Sequence, residues 1–220
     1  MTDLPNTAPN RGDLFTSVAN TVSRLQAQYL GERGEQQKSA ARGTLAELRR
    51  AAGQPIDHDP LSLQRTLLVL DPALEEAALG RGDEPSRDEY AAFQALSLFA
   101  LHMQSARSPM HQRDRSFGSA CGRLTAQRQS ASLKPRFDAI LLARSSRTRL
   151  AHTRSLITLL RSEKIGFDYA RFAQDLRALE NPRTQAGVLL RWGRDFASGA
   201  YPAKESPSTD SSSTDSSTTK

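Results

Sequence analysis

Apolar residues recur along this chain at three- and four-residue steps, and Gly, Pro and Asx positions separate the stretches that carry them. Leu14, Val18, Val22, Leu25 and Leu30 make a first amphipathic helix, and Leu45 and Leu48 lie on a second that should stop at Gly53 and Pro55. Leu61 to Leu70 reads as a helix ended by Asp71-Pro72, and Leu74 to Leu79 as one short turn before a polar loop from Gly80 to Ser86. Tyr90, Phe93, Leu96 and Leu101 belong to the most apolar segment, which is expected at the centre of the core.

After a loop carrying Pro109, the Ser116 hydroxyl can cap a helix whose inner positions are Phe117, Cys121 and Leu124. Pro135 suits the first turn of a helix continued by Phe137, Ile140 and Leu141. Leu150, Thr153, Ile157 and Leu160 form another helix, stopped at Gly166. Asp168 then caps a helix buried through Tyr169, Phe172, Leu176 and Leu179. Beyond Pro182, the stripe Leu189, Trp192, Phe196 is the last. The pattern predicts an all-α fold, a compact bundle of about eight or nine helices with no convincing strand. Residues 13–200 read as a single helical domain, since no linker divides them and no repeat of fixed period is visible.

The ends read differently. Residues 1–12 are polar and rich in Pro and Asn, and read as a disordered lead-in. Residues 201–220 read as a disordered Ser/Thr-rich tail, because a segment of Ser, Thr and Asp cannot bury enough surface to offset its ordering entropy.

Composition agrees with the helical reading: 28 Leu and 29 Ala stand against 4 Val and 4 Ile, and β-branched residues are what strands prefer. The longest near-apolar run, Ala95 to Leu101, is far short of the ~20 residues needed to span a bilayer, so no membrane association is expected. The first residues lack the basic start and apolar core of a secretory signal. A lone cysteine, Cys121, forms no internal disulfide and fits a reducing cytoplasm; its spacing with Phe117 and Leu124 makes it a packing residue.

The net charge of +6 is unevenly spread. Residues 1–102 carry −4, residues 103–154 carry +9 with only Asp114 and Asp138 as acids, and residues 155–220 carry +1. A solvated helix face interleaves both signs; this window does not. It points to a polyanion-binding surface made by Arg107, Arg113, Arg115, Arg123, Arg128, Lys134, Arg136, Arg144, Arg147, Arg149 and Arg154. Arg113 and Arg115 precede the Ser116 helix start, where guanidinium groups, free N–H groups and the helix dipole would converge on one anion. Arg136, Arg144 and Arg147 are spaced to form a row opposite Phe137 and Ile140.

No phosphate-binding Gly loop, H-E-x-x-H or C-x-x-C motif is present, the four histidines lack metal-ligand spacing, and two acids are too few for a two-metal nuclease. No metal, cofactor or catalytic residue is expected. Trp192 and Tyr169 lie on apolar stripes and read as core, and His102 as a hydrogen-bonded helix residue. Contacts to nucleic acid would then be made to phosphates, which position a strand without reading its sequence.

Several segments carry a resemblance: Ala40 through Arg42, Leu45 and Leu48 to Ala51; Leu98 to His102; Ser108-Pro109-Met110-His111; Arg136-Phe137 to Leu141 and Arg144; Leu159-Leu160 through Asp168-Tyr169 to Asp175-Leu176; and Arg191-Trp192 to Phe196. In this order they resemble the CasB family, the small subunit of the type I-E CRISPR surveillance complex called Cascade. The resemblance covers about 70% of the chain, Arg42 to Phe196. The chain departs from the family in having Leu179 where a Trp is common, Ala197 where a second aromatic is common, and Gly43 in place of a commoner Ala.

The resemblance implies an all-α, non-catalytic subunit present in more than one copy. Its partners would be the other Cascade subunits, the guide RNA, the target DNA and the displaced DNA strand. It also marks Arg42, Arg49 and Arg50 as nucleic-acid or subunit contacts. In an RNA-guided machine base pairing reads the sequence, and the protein need recognise only backbone and shape. The competing expectation is a stand-alone helical DNA-binding regulator or nucleoid-type protein, for which only Gln127 and Gln129 offer base-reading side chains beside the arginines.

Overall fold

A computed structural model of the chain describes residues 11–201. The expected lead-in (residues 1–10 of it) and the expected tail (residues 202–220 of it) lie outside the described residues. Within them the chain forms nine α-helices: α1 (Leu14–Leu30), α2 (Glu35–Arg50), α3 (Pro60–Val69), α4 (Arg87–His102), α5 (Phe117–Arg128), α6 (Leu133–Leu142), α7 (Ser146–Ser162), α8 (Tyr169–Leu179) and α9 (Pro182–Ala200). The Leu74 to Leu79 stretch supplies only one 3-10 turn, Glu76–Ala78.

The helix starts follow local chemistry. Asp13, Asp59, Ser86, Ser116, Ser145, Asp168 and Asn181 each accept a hydrogen bond from a backbone N–H of the first turn that has no partner within the helix. At Ser86 the Glu89 carboxylate reciprocates, completing a capping box. The α1–α2 junction needs positive φ at Gly31 and Gly34, both at 90°, which only glycine adopts at little cost.

Two strands of two residues, β1 (Arg11–Gly12) and β2 (Ala73–Leu74), differ from the strand-free expectation. They pair in parallel, so residues 11 and 12 belong to the fold and not to a lead-in. So short a pattern has no periodicity to read.

Helix α4 is the hub, packed by α1, α2, α3, α7 and α8. Its residues from Ala91 to His102 are all buried, as its apolar composition requires. Around it α5 packs on α9, α6 on α7, and α8 on α1 and α9. Phe117 lies among Phe137, Phe167, Phe172 and Trp192 with ring centroids 5.1–6.5 Å apart, tilted or edge-on, the geometry aromatic quadrupoles favour. Trp192 and Tyr169 are fully buried, and so is Cys121. On α9 the buried stripe is Val188, Trp192, Phe196; Leu189, the expected inner position, sits at its edge. No helix among the described residues is long and apolar enough to cross a membrane.

The glycines of the helices divide into two kinds. A Cβ on Gly118 would lie 2.5 Å from the Trp192 carbonyl oxygen, one on Gly122 would strike the Phe196 carbonyl oxygen, and one on Gly199 the Ser119 carbonyl oxygen. These three let the α5 and α9 backbones touch. A Cβ on Gly43 of α2 would instead meet nothing within 4 Å. Gly43→Ala is therefore expected to raise stability by about 0.5–1 kcal/mol, by removing unfolded-chain entropy without a clash. A thermal melt showing no increase would contradict it.

Candidate nucleic-acid interface

The basic window spans the α4–α5 loop, α5, α6, the α6–α7 loop and the first half of α7. Arg107, Arg113, Arg123, Arg136, Arg144, Arg147 and Arg154 are exposed and have no acidic partner among the described residues. Of the two acids in the window, Asp138 is held by Lys134 at 2.7 Å, and Asp114 forms no ion pair with these arginines. The exposed positions Arg136, Arg144 and Arg147 belong to α6, the α6–α7 loop and the first turn of α7, with Phe137 and Ile140 buried behind them.

Three expected residues prove to be engaged elsewhere. Arg149 is only 5% exposed, and one of its terminal nitrogens donates to the Ala143 carbonyl at 2.7 Å. It ties the end of α6 to α7, and its burial lowers its pKa from the ordinary arginine value. Arg115 donates to the Gln112 side chain and to the Gly166 carbonyl, so its guanidinium braces two loops. The expected convergence of Arg113, Arg115 and free N–H groups on one anion is not formed: Ser116 caps α5 by accepting from Ser119 N at 3.1 Å, and Gly118 in that turn lies against the Trp192 and Asp195 segment of α9. Arg128 pairs with Glu163 at 2.6 Å and donates to Ser162, across to the end of α7.

The fold also joins what the sequence separates. Arg147 and Arg154 are two turns apart on the exposed side of α7. The Arg154 side chain lies over Gly53, within 2.7 Å of where a Cβ would stand, just past the end of α2 that carries Arg49 and Arg50. Arg42 and Arg49 are likewise two turns apart on one side of α2. The α7 row thus runs toward the α2 arginines.

The loop bearing Arg107 and Arg113 is fixed by a residue that sequence reasoning missed. Gln26 of α1 accepts from Met110 N at 2.8 Å and His111 N at 2.7 Å through Oε1, and donates from Nε2 to the His111 carbonyl at 3.2 Å. His111 also bridges Phe167 in parallel pairing, and its Nδ1 accepts from Tyr169 N at 3.1 Å. Burial holds the His111 pKa below its ordinary value, so the ring is a neutral structural acceptor. A Gln on an amphipathic helix gives no sequence signal for such a clamp.

Below the surface, His102 Nδ1 lies 3.0 Å from Tyr169 Oη, which reaches the Leu98 carbonyl at 3.3 Å. Trp192 Nε1 donates to Asp175 Oδ2 at 2.6 Å, and Arg191 pairs with the other oxygen. Burial is the main effect raising the Asp175 pKa, opposed by those two donors. The polar edges of Trp192 and Tyr169 are thus engaged inward, and neither ring offers a stacking platform for bases. Among the described residues no three His, Cys, Asp or Glu side chains gather as metal ligands.

Comparison with known proteins places this architecture. Residues 44–196 match the family profile of the CRISPR-associated protein Cse2. CasB from Thermobifida fusca superposes with a TM-score of 0.65 at 28% identity, over 85% of this chain and 99% of that one. A Cse2-family CRISPR-associated protein from Thermus thermophilus gives 0.56 at 24%, over 83% and 98%. A chain of a CRISPR RNA-guided surveillance complex gives 0.61 at 19%, over 85% and 95%, a likeness of fold. No curated protein sequence matches. With the profile spanning α2 to α9, this chain belongs to the CRISPR-associated Cse2 family.

Proposed function

We propose that the chain is a non-catalytic small subunit of a type I-E CRISPR RNA-guided surveillance complex, and that it binds nucleic-acid backbone without reading sequence. The observation that carries this reading is the set of seven exposed arginines from Arg107 to Arg154 with no acidic partner among the described residues. Guanidinium forks suit phosphate, and so acid-poor a surface is costly to keep unless a polyanion neutralises it. Membership of the Cse2 family and the shared fold with a surveillance-complex chain supply the setting. The role is to hold the target and displaced strands of the opened duplex apart and slow their reannealing. Arg42, Arg49 and Arg50 extend the same surface by way of Arg154.

Converting Arg113, Arg136, Arg144 and Arg147 together to Glu is expected to weaken target-DNA binding by the assembled complex. The slope of log affinity against log salt should flatten by roughly 0.7–0.9 for each phosphate that is no longer neutralised. Arg115, Arg128 and Arg149 are left intact because they brace the fold. Target binding and salt slope indistinguishable from wild type would refute the reading. Tight duplex binding by the isolated chain would point instead to a free-standing DNA-binding protein.

A further inference from the structure

The outer face of α9 remains without a partner. Two adjoining hollows of about 620 and 260 Å³ share Leu141, Gly193 and Ala197 and lie between α6 and α9. Small residues, Ala186, Gly193 and Ala197, form the floor on α9, with Leu141 and Leu190 beside them. Leu190 is 61% exposed, and Tyr201, which lines the second hollow, is 84% exposed. A soluble surface rarely concentrates large apolar side chains in this way unless something covers them.

The unpaired charges beside this groove are positive. Arg183 and Arg194 share the exposed side of α9 with Leu190, eleven residues apart or about 16 Å. Both are exposed and lack an acidic partner among the described residues. Lys134 and Asp138 at the far wall neutralise each other. The chain's own residues 204–220 carry no Val, Leu, Ile, Met or aromatic side chain to fill the groove.

We propose that the α6–α9 groove receives an amphipathic, acidic helix from a protein partner. Its apolar face would lie on Ala186, Leu190, Gly193 and Ala197, and two carboxylates about three turns apart would meet Arg183 and Arg194. An amphipathic helix laying its apolar face into a hydrophobic groove is a recurring mode of recognition. The partner is sought among the other subunits, and in that respect the inference rests on the assembly reading above.

Leu190→Glu and Arg194→Glu test it in the chain co-expressed with its complex. Each is expected to lower co-purification of other subunits by roughly tenfold, the effect of removing one anchoring side chain. The melting temperature and circular dichroism of the isolated chain should stay unchanged, since both side chains are exposed. Arg194→Lys should retain most assembly. A photo-crosslinking phenylalanine analogue at position 190 should attach to an acidic helix of another subunit. Attachment to nucleic acid, to a second copy of this chain or to a non-helical segment overturns the proposal, as does full assembly of both Glu variants. The four-arginine variant should still assemble while losing DNA binding, which separates the two surfaces. A wild-type chain that brings down no other subunit defeats the assembly reading, and this partner with it; assembly surviving both groove substitutions defeats the groove alone.

Discussion

Gly122→Ala is expected to destabilise the protein by about 3 kcal/mol, the upper end of what one extra methyl costs in a filled interior. The new Cβ would collide with the Phe196 carbonyl oxygen and lie 2.7 Å from Ala200 N. These are backbone atoms of a packed helix and cannot rotate away as a side-chain end would. Relief requires moving α9 off α5, which would loosen the stacking of Phe196 on Phe137, now 4.4 Å between centroids. The same chemical change at Gly43 has the opposite expected sign, because there nothing lies in the way. Urea unfolding of the two variants beside wild type measures the contrast, and equal midpoints for all three would refute the account of the α5–α9 crossing.

The second large effect is on acid stability. His102 is fully buried, and burial, with the Arg161 charge adding in the same direction, holds its pKa down to about 3 from the ordinary 6.5. In the unfolded chain the ring takes a proton near pH 6.5, whereas in the folded chain it stays neutral until about 3. Between those values the unfolded state binds the extra proton, so stability is intact above pH 6.5 and falls as pH drops. The loss is on the order of 1 kcal/mol per pH unit once the pH is below 6.5. His111, also held low, acts in the same direction. His102→Gln can keep a hydrogen bond to Tyr169 Oη while removing the titration, and its stability should decline less steeply over the window. A slope equal to wild type would exclude His102 as the source.

Much of this architecture is legible in the sequence because its signals are local. Ser116, Asp168 and Pro182 announce their helices through chemistry acting within one turn, and α4 reveals its central place by the run Ala95 to Leu101, apolar but for Ser97. The charged window identifies the region of the interface by the same kind of local count. What a count cannot do is separate exposed arginines from engaged ones. Arg128 finds Glu163 and Arg115 finds Gly166, partners 35 and 51 residues away, and no spacing rule reaches that far. Arg149 is a different case. It sits with Thr153, Leu156 and Leu160 at steps of four, three and four, so the helical pattern itself assigns it to the buried side, and grouping it with Arg147 by charge overlooked that. The pairing of Arg11–Gly12 with Ala73–Leu74 joins residues too few and too distant for any pattern.

The Gln26 clamp bears on how fast and how tightly this surface can act. A surface loop that orders only when a ligand arrives loses conformational entropy at that moment, and affinity falls by the corresponding amount. Here the loop around Arg113 is ordered during folding, by three hydrogen bonds from one side chain that is itself part-buried and distant from the exposed arginines in sequence. An anion reaching Arg113 meets a preorganised backbone, and encounter leaves only the guanidinium arm to settle.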